Sequence, residues 1–90
     1  MSVKINIHPY LFHLTNDQDA VEVNGSTVGQ CLEQLVAKFP GLGEWLFGKN
    51  GKLNNLFEIY VNMESTYPEE LAKRVKDGDE IQIIIVISGG

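Results

Sequence analysis

The chain has a single cysteine, Cys31, so no internal disulfide can form and the simplest compartment is a reducing cytoplasm. It is short of cations: seven Lys and Arg stand against twelve Asp and Glu, a net charge of −5. Nucleic-acid binding needs clustered Lys and Arg, so no nucleic-acid partner is expected. The acidic balance instead suits solubility and docking to a basic partner. The opening "MSVKINIHPY" lacks a cationic lead followed by an apolar block, so no signal peptide is expected. No apolar run approaches the ~20 residues that cross a bilayer, so no membrane partner is expected either. His8 and His13 have no Asp, Glu or Cys at ligand spacing, so no metal site is expected. Nothing resembles a phosphate loop or a Ser-His-Asp set, so the chain is not expected to be an enzyme.

Ninety residues, 43% of them apolar, make one small domain with one core. Val3, Ile5 and Ile7 alternate with Lys4, Asn6 and His8, the period of a strand with one buried face. Pro9 cannot donate to a ladder and ends it. A loop through "NDQD" leads to a second strand at Val21 and Val23. The period then changes. Val28, Leu32, Leu35, Val36 and Phe39 form one helical stripe, opened by a Thr27/Gln30 capping box and closed by Pro40 and Gly41. Trp45, Leu46 and Phe47 read as a short irregular turn. Phe57, Ile59 and Val61 mark a third strand. "YPEELAKRV" allows a short helical turn, and "KDGDE" is a turn with Gly78 as its left-handed residue. The last strand runs from Ile81 to Ile87.

One helix must cover one face of one mixed sheet, and the most apolar strand, the last, belongs at its centre beside the first. The expected fold is therefore α+β: a β-grasp, or ubiquitin-like, domain with four to five strands and one main helix on one face. Its bounds are residues 1–87, followed by a flexible Ser-Gly-Gly tail, 88–90. Ile81, Ile83, Ile85 and Ile87 should face the helix. Ile84 and Val86, with Tyr60, should form an outer apolar patch near the C-terminus that serves a partner. Cys31 reads as a semi-buried, inert thiol in preference to a persulfide relay.

The sequence closes on "IIIVISGG". Glycine orders at a high entropic cost and packs nothing, so two in succession do not serve stability. They suit a tail that lies in a narrow channel and presents an α-carboxylate. That group is ionised at neutral pH and is a poor electrophile, so chemistry on it needs activation by another protein, through an acyl phosphate or acyl adenylate.

The helix entry "TVGQCLEQLVAKFPGL", the turn "KDGDEIQI" and the terminal "SGG" together resemble the small sulfur carriers of the ThiS/MoaD superfamily. "GKLNNLFEIYVN" and "IHPYLFHLT" are most similar to its CysO-type branch. The resemblance covers nearly the whole length. It implies that a ubiquitin-activating-type adenylyltransferase uses ATP to adenylate Gly90. It also implies that sulfur from a donor protein gives a terminal thiocarboxylate, and that an acceptor-side synthase takes this sulfur toward cysteine or a related amino acid, with a zinc peptidase among the candidate partners. Gly89 and Ser88 match the rest of the family's tail. No cofactor would be bound by the chain itself, which is expected to be a monomer when free. Two other functions share this pattern: a ubiquitin-like modifier joined to lysines, and the small subunit of molybdopterin synthase. Many such subunits carry prolines before the tail, where this chain has Ile84, Ile85 and Val86.

Overall fold

The computed structural model describes residues 2–48 and 51–86. Among these residues, five strands and two α-helices follow in the order β1 (Ser2–Asn6), β2 (Ala20–Asn24), α1 (Val28–Lys38), α2 (Gly41–Leu46), β3 (Phe57–Val61), β4 (Glu64–Ser65) and β5 (Glu80–Ile85). Single 3-10 segments occupy Pro9–Leu14 and Glu70–Ala72. The strands form one sheet ordered β2-β1-β5-β3-β4. β1 and β5 are parallel and the other neighbours antiparallel. This is the expected β-grasp architecture, with the last strand central and beside the first.

Alternation builds the core. β1 buries Val3 and Ile5, β2 Val21 and Val23, β3 Phe57, Ile59 and Val61, and β5 Ile81 and Ile83. α1 lays Val28, Cys31, Leu32 and Leu35 into the same cluster, each fully buried. Each Leu or Val buried this way contributes about 1.5–3 kcal/mol. The stripe is rotated from the expected one, since Val36 and Phe39 are only partly buried while Cys31 is wholly enclosed. The cause is the chain entering the helix. A Cβ at Gly25 would lie 2.9 Å from Cys31 Sγ, so the backbone passes directly over the thiol. Burial pushes the Cys31 thiol pKa up, which disfavours the thiolate form.

The α1 cap forms with one change. Thr27 Oγ1 accepts from the Gln30 amide at 3.1 Å. Gln30 Oε1 then turns back to the amide and hydroxyl of Ser26, both at 2.8 Å, one residue short of the expected partner. One expectation is corrected. Pro40 and Gly41 do end α1, but residues 41–46 form α2 instead of an irregular turn, because Pro40 sits in the α region (φ −57°) and its ring suits a helix start. The connection between β1 and β2 keeps its expected loop at residues 16–19 and adds a 3-10 segment before it, at Pro9–Leu14, closed by Thr15, whose buried hydroxyl donates to the Gln18 carbonyl at 2.9 Å.

The turn before β5 follows the sequence reading. Gly78 is left-handed, with φ +88°. Asp79 Oδ2 accepts from the Lys76 amide at 2.8 Å, and Asp77 Oδ1 accepts from the Ser2 amide at 2.7 Å. Among the described residues, no helix is long and apolar enough to cross a membrane, and no His, Cys, Asp or Glu cluster could hold a metal.

Candidate functional site: the root of the C-terminal tail

β5 ends at Ile85, and the Val86 amide donates to the Leu56 carbonyl at 2.8 Å. Ile87, Ser88, Gly89 and Gly90 lie outside the described residues, and so does the expected boundary between domain and tail. The site is therefore built from what surrounds the exit of the chain.

The first half of β5 is paired on both sides. Lys4, Asn6 and the residue between them stand opposite Glu80–Gln82, while Val61 and Tyr60 pair with Ile81 and Gln82. β1 then stops. Among the described residues, Ile83, Ile84 and Ile85 pair only with β3, opposite Ile59, Glu58 and Phe57. The backbone thus leaves the sheet along one partner, and among the described residues the other side of its last residues carries no ladder.

On the outer face, Ile84 sits across from Glu58, and Tyr60 is its diagonal neighbour across from Gln82. Tyr60, Ile84 and Val86 are each half-buried, so the expected patch is a shallow surface and not a freely exposed one. Its surroundings are polar. Gln82 Oε1 accepts from the Met63 amide at 3.0 Å, and Ser65 Oγ donates to Glu58 Oε1 at 2.7 Å.

On the other face, parity holds for Ile81 and Ile83, which are buried, and weakens at Ile85, which packs on the core but is only partly covered. No α1 residue lines the surface beside it. The cover comes from α2 and the β1–β2 connection and leaves a groove of about 310 Å³ lined by His8, Tyr10, Trp45, Leu56, Phe57 and Ile85. His8 Nδ1 accepts from the Tyr10 amide at 3.1 Å and so sets the turn that presents Tyr10. The Tyr10 and Trp45 rings meet edge to face, 5.8 Å apart at 79°. Asn54 ties Leu56 to α2: its Nδ2 donates to the Trp45 carbonyl at 3.0 Å, and its Oδ1 accepts from the Leu56 amide at 3.0 Å.

The sequence reading named Tyr60, Ile84 and Val86, and the structure brings them to the tail root. It missed Tyr10, Trp45, Asn54 and Leu56. One signal was present: Leu56 and Phe57 are adjacent apolar residues at a strand entry, and period two can bury only one of them.

The sequence profile of the ThiS family matches residues 5–90. The sulfur carrier protein CysO of Mycobacterium tuberculosis is 33% identical over 93 aligned residues, covering all of both chains. The CysO structure solved in the Amycolatopsis orientalis BexX/CysO complex superposes with a TM-score of 0.87 at 29% identity, covering 98% of this chain and 99% of that one. Small archaeal modifier protein 1 of Haloferax volcanii superposes with a TM-score of 0.85 at 27% identity over the whole of both chains. In sequence it is 34% identical over 71 residues, 78% of each chain. With the β-grasp sheet, the half-paired β5 and a full-length match in hand, the chain belongs to the ThiS family and is a homologue of the CysO-type carriers.

Proposed function

We propose that this protein is a sulfur carrier that works through Gly90 and has no active site of its own. A Gly90 carboxylate oxygen attacks the α-phosphorus of ATP in an adenylating enzyme, releasing pyrophosphate and leaving an acyl adenylate. A sulfide from a donor protein attacks the carbonyl carbon, AMP departs with the carbon–oxygen bond, and a thiocarboxylate remains. An acceptor-side synthase then takes the sulfur into cysteine or a related amino acid. Ser88 and Gly89 supply the slender stretch behind the reacting residue, and Tyr60, Ile84 and Val86 supply surface at its root. The observation that carries this reading is the full-length similarity to a sulfur carrier. Mass spectrometry of the intact protein, after incubation with ATP, the adenylating enzyme and a sulfide source, tests it. The expected product has one sulfur in place of one oxygen at Gly90, and an unchanged carboxylate would overturn the reading.

A second reading, a modifier joined through Gly90 to lysines, is favoured by the similarity to small archaeal modifier protein 1. Gly-Gly remnants on lysines of other proteins, dependent on this chain, would support it.

A further inference from the structure

We infer that the groove at the tail root is a docking surface that takes an apolar side chain of the enzyme acting on Gly90. The inference rests on the reading that Gly90 is the reacting residue.

Reach makes the groove part of any such contact. Gly90 lies four residues beyond Val86, and a chain extends at most ~3.6 Å per residue, so the reacting carboxylate stays within about 14 Å of the root. An enzyme that encloses that carboxylate together with ATP must bring its own wall against whatever flanks Val86. On one side this is the shallow outer surface of Tyr60 and Ile84. On the other it is Leu56, whose carbonyl holds the Val86 amide, and the groove behind it.

The groove's chemistry selects the contact. Its walls are aromatic and aliphatic, with His8 and the Tyr10 hydroxyl as the polar exceptions. Tyr10 is 59% exposed and Leu56 52% exposed, and both line the one hollow. Single exposed apolar residues are ordinary, whereas a contiguous apolar concavity marks a binding surface. A charged group entering it would lose hydration without a partner, while an aliphatic or aromatic side chain would lose nothing. The walls are also held in place. Tyr10 meets Trp45 edge to face, and Asn54 bridges Trp45 to Leu56. Little ordering remains to be done on docking, which favours affinity. A second copy is a poor occupant, because two chains each carrying −5 repel.

Trp45 is the chain's one tryptophan, so fluorotryptophan labelling gives a single fluorine resonance inside the groove. Adding the purified adenylating enzyme of the same organism should shift or broaden that resonance, including for a chain lacking residues 87–90. In ATP–pyrophosphate exchange, Leu56→Asp should raise KM roughly a hundredfold with kcat nearly unchanged, because uniform binding is lost and chemistry is not. Leu56→Ser, with less effect on folding, should raise it less, and circular dichroism should show both variants folded. Wild-type KM in folded Leu56→Asp would overturn the inference while leaving the carrier reading intact. No exchange by the wild-type chain would overturn the carrier reading itself. A resonance that moves with protein concentration alone would assign the groove to a second copy. One that moves in the free protein when residues 87–90 are removed would assign it to the chain's own tail. Either result also overturns the inference.

Discussion

The two ends of β5 are built on opposite principles. At Glu80 the strand is paired on both sides and pinned by polar groups. Asn62 Nδ2 donates to Asp79 Oδ1 at 3.0 Å, Asn62 Oδ1 accepts from the Glu80 amide at 3.0 Å, and the Asp79 carbonyl accepts from Lys4 at 3.1 Å. At Ile85 the strand has one partner among the described residues, apolar neighbours and an open groove. The difference teaches where each job is done. The entry end sets the register of the whole sheet, and a one-residue slip there would turn every isoleucine of β5 to the wrong face. The exit end is relieved of that duty and can offer surface to another protein.

Substitutions along the strand should separate the two roles. The largest effect should come from Ile83→Asp. Ile83 is 2% exposed, and an unpaired carboxylate there would unfold a domain of this size. Thermal melting followed by circular dichroism would show no cooperative transition, and a native-like melt would mean that β5 is not the centre of the core. Leu35→Ala, beneath the sheet on α1, should cost about 2–5 kcal/mol by urea unfolding. A smaller loss would show that the helix face collapses around the gap.

Asp79 probes the pinned end. The Asn62 amide and then the Lys76 backbone amide hold its carboxyl below the ordinary carboxylate pKa. A folded-state pKa below the unfolded one adds stability that is present above the unfolded value and lost as pH falls through the folded one. Asp79→Asn should therefore lower the melting temperature at neutral pH and flatten its fall under acid. An unaltered acid profile would remove Asp79 from the pinning network. Of these substitutions, the smallest stability effect should be that of Ile84→Asp. The residue is half-buried on the outer face, so a cost of about 1 kcal/mol is expected by urea unfolding. A loss as large as that of Ile83→Asp would erase the distinction between the faces.

The architecture was legible because the pattern is periodic. Alternation in β1, β3 and β5 and the stripe on α1 are written residue by residue, and Gly78 marks its own turn. What escaped notice depends on non-local contact. Cys31 is enclosed because Gly25 passes over it, which no helical period reveals. α2 was hidden because Pro40 both stops one helix and suits the start of the next. Ile85 keeps the expected face but not the cover of Ile83, because strand parity assigns a face without saying how far the covering elements extend. The groove was missed for the same reason. Its walls come from residues 8–10, 45, 56–57 and 85, which only the fold brings together.

Deletion of Gly90 tests the central claim most directly, that the body of the domain serves stability and the end of the chain serves chemistry. Thermal unfolding and ATP–pyrophosphate exchange with the adenylating enzyme would be measured on the same preparation. The account predicts an unchanged melting temperature and complete loss of exchange. Normal exchange by the shortened protein, or unfolding on loss of that one residue, would contradict it.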